Sequence, residues 1–424
     1  MGLPYIVELA TRIATNTSKV SDYLAAHDLP QPSFDLNTPP TPVPRDAVEI
    51  EALRQAVLKD TTELRSLMLG PRDSLFSAGS MQNVLLPQQA ITRFGLARNL
   101  PVGQETTFAE MAEQSGQAES NVRKVVRAAI AQRIFEEPQP GVIKHSAASR
   151  LLAEDPGVHD YVATVSDELW PAAAQTCNAW AKFSGSEEPN ETGFSLANNT
   201  SKSMYEFLSD YPERSSRFAN MMRSFTSGPA FDLRFVTDFY PWEKFQGGTF
   251  VDVGGSQGFV CEALARKFPS LNFIVQDLEE VVRDAKGHVS PDVADRITFM
   301  AHDFFTPQPV RADIYFLRWI FHNWSDKYCV KILQALIPAL RPGAKVIISD
   351  AVIPGPDGMP KGLETMIRSF DLVMSSIQNA RERELGDWKE LFKKADGRFK
   401  FEGVTSPPGS NHSLLVAVWE GPSK

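Results

Sequence analysis

Residues 249 to 258, Thr-Phe-Val-Asp-Val-Gly-Gly-Ser-Gln-Gly, put one carboxylate and three glycines at the end of an apolar run. Gly254, Gly255 and Gly258 let the backbone turn tightly and approach a ligand, because a Cβ there blocks either the φ angle or the contact. Asp277 closes the next apolar run, Asn272 to Gln276, about twenty residues beyond the last glycine, where a carboxylate accepts hydrogen bonds from both hydroxyls of a ribose. The chemistry of the pair is the holding of a nucleoside-bearing cofactor. Read alone, the glycine string is also compatible with a turn of no function.

Asp252 decides which cofactor the turn suits. A dinucleotide site faces a pyrophosphate with the N-terminus of its helix, whereas a carboxylate just before the glycines repels phosphate. It suits a sulfonium and an amino group, hence S-adenosylmethionine. A second chemical candidate is His322, before Asn-Trp-Ser-Asp. An imidazole near neutral pKa accepts the proton of an attacking hydroxyl, although a histidine in such a string also serves as an ordinary loop or cap residue.

Alternating strands and helices must position these residues. Phe250 to Val253, Asn272 to Gln276, Ile297 to Ala301, Ala312 to Leu317 and Ala344 to Asp350 read as five parallel strands separated by helical stretches. Phe399 to Val404 and Leu414 to Trp419 are joined by too short a loop for a crossover helix, so a terminal hairpin is expected. Ligands of such sheets bind beyond the carboxyl ends of the strands, where Gly254, Asp277, Asp303, Arg318 and Asp350 all fall.

Upstream, residues 106 to 145 read as a winged helix-turn-helix, with Thr106 or Thr107 as cap, Phe108 to Gln114 and Ser120 to Arg133 as helices, and Ile134 to His145 as wing. Arg123, Lys124, Arg127 and Arg133 invite a DNA-binding reading. The net charge of -9 and the nearby Glu136 and Glu137 favour a solvated basic face instead, and no nucleic-acid partner is expected. Ile6, Leu9, Ile13, Val20 and Leu24 outline a first amphipathic helix, and a proline-rich connector, Leu29 to Pro44, follows it. Ile50, Leu53, Val57, Leu64, Leu67 and Met68 form a stripe that fits either core or a subunit seam, and a dimer contact is preferred.

The 424 residues, 42% hydrophobic and 22% charged, suffice for a large buried core and two or three domains. Cys177, Cys261 and Cys329 lie far apart without a C-x-x-C, which points to neither a disulfide framework nor a thiolate metal site and fits a reducing compartment. No basic n-region with a long apolar stretch opens the chain and no membrane-spanning run appears, so a cytoplasmic, membrane-free protein is expected.

The strings Val-Asp-Val-Gly-Gly-Ser-Gln-Gly, Gln-Asp-Leu-Glu-Glu-Val-Val, His-Asp-Phe-Phe, Leu-Arg-Trp-Ile-Phe-His-Asn-Trp-Ser-Asp, Arg-Pro-Gly-Ala-Lys-Val-Ile-Ile-Ser-Asp and Asn-Ala-Arg-Glu-Arg, in this order, resemble the plant caffeate-type and fungal small-molecule O-methyltransferases. The resemblance implies an α/β fold: a Rossmann-like doubly wound methyltransferase sheet with a terminal antiparallel hairpin, preceded by an α-helical winged-helix dimerisation domain. It divides the chain into an N-terminal helix and proline-rich arm (1–45), the winged-helix dimerisation domain (46–160), a helical substrate-binding segment (161–240) and the catalytic domain (241–424).

It further implies that Asp252, Gly254, Gly255, Gly258, Asp277, Leu278, Asp303, Phe304, Arg318 and Trp324 hold S-adenosylmethionine, Asp277 clamping the ribose, Asp303 and Phe304 flanking the adenine, and Trp324 covering it. Arg318 replaces a family lysine. His322 matches the general base, and Asp350 and Glu382 match its two flanking carboxylates; Asp350 stands where plant members carry glutamate, one methylene longer. Met204, Phe207, Phe218, Met221, Met222, Phe225, Phe370, Met374 and Gln378 are the implied acceptor pocket, though such a stripe is equally ordinary helix core. The implied reaction is methylation of a hydroxyl on a phenolic, polyketide or pyridone metabolite by a homodimer that needs no metal. A rival stays open within the fold, namely dehydration or pericyclic closure of a polyketide-derived substrate with the sulfonium as a fixed charge.

Overall fold

The computed structural model describes residues 3–44, 46–285, 287–355 and 361–421. In chain order, helices α1 (Tyr5–Ala26), α2 (Val48–Ala78) and α3 (Gln82–Arg93) lead to strand β1 (Glu105–Thr107), helices α4 (Phe108–Ser115) and α5 (Glu119–Ala131), strands β2 (Glu136–Gln139) and β3 (Val142–Lys144), and helices α6 (Ala147–Glu154) and α7 (Pro156–Thr164). A π-helical turn, Val165–Leu169, carries α7 into α8 (Trp170–Lys182); α9 (Gly193–Ala197), α10 (Met204–Ser209), α11 (Pro212–Thr226) and α12 (Arg234–Thr237) follow. Then come β4 (Thr249–Val253), α13 (Phe259–Lys267), β5 (Asn272–Asp277), α14 (Glu279–Ala285), β6 (Ile297–Ala301), β7 (Ile314–Arg318), α15 (Asp326–Leu336), β8 (Lys345–Asp350) and β9 (Val352–Ile353). The chain closes with α16 (Lys361–Gln378), β10 (Arg383–Glu384), α17 (Leu385–Ala395), β11 (Phe399–Thr405) and β12 (Ser413–Trp419). No helix among the described residues is long and apolar enough to cross a membrane.

Two compact units result. The first comprises Met1–Pro171, Leu208–Thr226 and Met359–Met366. In it helix α4 begins at a reciprocal cap: Thr107 accepts from the Glu110 N–H while the Glu110 carboxylate accepts from the Thr107 N–H. Gly116, at φ 66°, ends α4 in the left-handed conformation that favours glycine. Strands β1, β3 and β2 form a three-stranded antiparallel sheet in that order, and Phe108, Met111, Val122, Val126, Phe135 and Ile143 cluster in one buried core. Arg123 pairs with Glu119 and Arg127 with Glu137, and both guanidiniums lie over the Phe108 ring. Those cations are held by the domain's own carboxylates.

α1 buries Leu9 and Leu24 and is tied to α2 by a two-point ion pair from Arg12 to Asp60, both bonds 2.9 Å. α2 runs through Gly70 and Pro71 with a kink, Gly70 taking φ 68°. Beyond Asp60 it buries no residue, and Leu67, Met68, Leu75 and Phe76 stay exposed.

The second unit comprises Ala172–Phe207, Ser227–Gly358 and Ile367–Lys424. Its seven-stranded sheet has the order β11-β12-β8-β7-β4-β5-β6. The five strands read from the sequence as parallel are parallel, and β12 and β11 complete the sheet as an antiparallel hairpin. Side chains alternate between two cores. Phe250, Phe316, Ile347 and Val416 pack with Val260, Leu264 and Val282 of α13 and α14, while Val251, Leu317, Ile348 and Leu415 pack with Ile332, Leu333, Leu391 and Phe392 of α15 and α17. Each strand therefore delivers its last residues to one edge of a sheet covered on both faces, which is the geometry of an α/β ligand site.

Candidate active site

The glycine turn follows β4 at that edge. Gly254 and Gly258 take φ 74° and 79°, and a Cβ on Gly255 would lie 2.6 Å from the Asp252 carboxylate carbon. The bare backbone is thus a steric requirement and not a compositional accident. Asp277 staples the turn to the end of β5: one carboxylate oxygen accepts from the Ser256 N–H and the other from the Leu278 N–H, each at 2.8 Å. Each oxygen keeps a lone pair for a further hydroxyl donor.

Asp252 is 2% exposed, and the weak thiol donor of Cys261 lies 3.7 Å from one of its oxygens. Burial pushes its carboxyl up to about 7, against the opposing pull of Arg318. A carboxylate buried with so little donation fits a cationic ligand group, and the glycine cradle beside it fits the close approach of that ligand; both suit S-adenosylmethionine. Arg318, at the end of β7, donates to the Phe231 carbonyl at 3.0 Å, and its Nε has no hydrogen-bond partner among the described residues. Burial lowers its pKa, while Asp252 and Asp350 pull the other way.

The expected adenine-side residues divide by role. Phe304 stands at the glycine turn, its ring 3.8 Å from where a Gly254 Cβ would be. Trp324 meets Phe304 and Phe305 edge-on, at ring separations of 6.2 and 4.8 Å. Leu278 is exposed beside Asp277. Asp303 accepts from the Phe305 N–H at 2.9 Å, so its carboxylate shapes the loop after β6.

His322 sits on a short 3-10 turn, Phe321–Asn323, between β7 and α15. The turn abuts the glycine loop, since a Cβ on Gly254 would come 2.5 Å from the Ile320 side chain. The His322 Nδ1 lies 3.2 Å from a Glu382 carboxylate oxygen, with both side chains at most 3% exposed. Asp350 meets His322 differently: its Oδ2 accepts from the main-chain N–H at 3.3 Å. The two flanking carboxylates therefore hold the ring and the backbone respectively. Their second oxygens, Asp350 Oδ1 and Glu382 Oε2, are buried without a hydrogen-bond partner among the described residues. Burial pushes the Asp350 carboxyl up to about 6, with Glu382 raising and His322 opposing the shift. One donor atom from each of the three residues lies within 4.8 Å of the others.

Of the expected acceptor residues, Phe370 stacks on His322 at 6.0 Å and 16°. Gln378 donates to the Asn323 side chain at 3.2 Å, and Met204, Phe207 and Met374 are buried in the same unit. Phe218, Met221, Met222 and Phe225 stand on α11, in the first unit. The sequence reading passed over His412 and Trp319. Pairing of β12 with β8 sets Ser413 opposite Asp350, which brings His412 to the site; its ring is 4.4 Å from Trp319, which is 4.6 Å from His322. Burial, Arg318 and His322 all push the His412 pKa well down. Its one local signal was a polar residue just ahead of the last strand.

Comparison with known proteins shows the family of the chain. The O-methyltransferase domain family matches residues 187–398. The chain is 39% identical to the grayanic acid biosynthesis cluster O-methyltransferase of Cladonia grayi, over 98% of this chain and 88% of that one. It is 36% identical to the chlorophenol O-methyltransferase of Trichoderma longibrachiatum, over 97% and 90%. Among solved structures, LepI in complex with S-adenosylmethionine shares the fold at a TM-score of 0.71 and 21% identity, covering 97% of this chain and 99% of that one. The chain belongs to the O-methyltransferase family and is an S-adenosylmethionine-dependent O-methyltransferase.

Proposed function

We propose that the acceptor is a hydroxyl of a small phenolic, polyketide or pyridone metabolite and that His322 is the general base that deprotonates it. The observation that carries the reading is the buried contact between His322 Nδ1 and Glu382 at 3.2 Å. A carboxylate at Nδ1 holds the proton on that nitrogen, which leaves the Nε2 lone pair to receive the acceptor's proton. Bound S-adenosylmethionine supplies an electrophilic sulfonium methyl. Asp277 and the glycine turn hold its nucleoside, Leu278, Phe304 and Trp324 cover the base, and Asp252 with Arg318 addresses its charged end. Asp350 fixes the backbone of His322 from beneath. Phe370, Met374, Gln378, Met204 and Phe207 face the acceptor with apolar and aromatic surface, and the chlorophenol specificity in a relative's name supports a phenolic class.

His322→Ala is expected to lower kcat by about 10² to 10⁴ with cofactor affinity unchanged within about twofold. Full activity in that variant would sink the base assignment. We also propose that the chain works as a homodimer, with the exposed apolar residues of α1 to α3 as its contact.

A further inference from the structure

Glu382 and His322 are sixty positions apart in the chain, and a catalytic contact over that separation needs something that sets its register. Arg383 is fully enclosed and is adjacent to Glu382. Its Nη1 donates to the Phe321 carbonyl at 2.9 Å and to the Arg381 carbonyl at 3.3 Å. Nη2 donates to the Trp324 carbonyl at 2.8 Å and to the Cys329 sulfur at 3.3 Å, and Nε donates to Asp326 at 3.0 Å. The guanidinium lies over the Trp388 ring at 5.3 Å.

Phe321 and Trp324 bracket the turn that carries His322. One rigid plane therefore grips both ends of that turn while its own backbone carries Glu382. A buried guanidinium is costly unless its donors are met, and five donor contacts account for its presence here. They do not account for its location. A packing staple has no need to bond both carbonyls around the histidine, whereas a device for fixing the ring against Glu382 has that need. Lysine, a single point charge on a flexible stem, cannot reproduce a planar fork reaching two carbonyls and a carboxylate.

We infer that Arg383 is a positioning residue that sets the register of Glu382 against His322 and thereby the tautomer of the imidazole. The inference rests on the reading of His322 as the base. It is tested in the full chain, labelled with 15N-histidine, by long-range 1H–15N spectra of the imidazoles, the His322 signals being assigned from their loss in His322→Gln.

In the native protein His322 is expected as the Nδ1–H tautomer, and Arg383→Lys is expected to give a tautomer mixture. Its kcat should fall about tenfold to a hundredfold with cofactor affinity within about twofold. Native tautomer signals in a folded Arg383→Lys overturn the inference, whether or not kcat changes. If that variant does not fold, Asp326→Asn keeps the guanidinium and loosens one anchor, and a smaller shift in the same direction is expected. Unmoved signals there overturn it equally. A tautomer change in a protein that transfers no methyl group would support the role of Arg383 and refute the proposed reaction, so the two failures are distinguishable.

Discussion

Glu382 and Asp350 are carboxylates against one histidine, and the difference in what they touch separates their roles. Glu382→Gln replaces an acceptor by a group that can present a donor to Nδ1, so the wrong tautomer becomes accessible; kcat should fall about tenfold to a hundredfold at constant cofactor affinity. Asp277→Ala should act in the opposite order, weakening cofactor binding first, as isothermal titration would reveal. Asp252 adds a pH dependence. Its folded pKa, about 7, lies above the ordinary carboxylate value of 3.8, so the native state binds the proton more tightly than the unfolded chain does. Its stability contribution is therefore full below about pH 4 and is lost as pH rises towards 7. Melting of the cofactor-free protein should show Asp252→Asn more stable than the native chain at pH 8 and no more stable at pH 4. The same variant should bind S-adenosylmethionine about tenfold or more weakly, the loss expected for a charge-assisted contact. The residues proposed for the site could be picked out because their types sit in contiguous motifs. Arg383 and His412 were not, since their roles come from contacts 62 and 63 positions away, with Phe321 and Ser349.

At the scale of elements, the glycine turn is a close fit among Asp252, Val275 and Ile320. Gly255→Ala must push aside the buried carboxylate at 2.6 Å, and such overpacking typically costs about 1 to 3 kcal/mol. Reduced cofactor affinity with the fold retained in far-UV circular dichroism is the expected result. The five parallel strands and the closing hairpin were readable because fully covered strands are continuous apolar runs. The parallel pair β9 and β10, which aligns Arg383 with Val352, was not. Two residues are too few to carry a period, and the paired residues are 31 positions apart. The π-helical turn at Val165–Leu169 was equally silent, because nothing in Val-Ser-Asp-Glu-Leu distinguishes it from an α-helix.

For the whole molecule, the long N-terminal helices leave much apolar surface in water. Leu75 and Phe76 are 74% and 66% exposed and Met68 is 71% exposed, more than solubility alone favours in a chain of net charge -9. Light scattering is expected to give a dimer for the native chain and a monomer for Leu75→Glu/Phe76→Glu; a native monomer at micromolar concentration would refute the proposed assembly. The reaction is settled most directly by mass spectrometry of the purified protein with methyl-labelled S-adenosylmethionine and a panel of phenolic, polyketide and pyridone alcohols. Labelled methyl ether formed together with S-adenosylhomocysteine is the predicted result. Intact cofactor beside a substrate that has lost water or closed a new ring would contradict it.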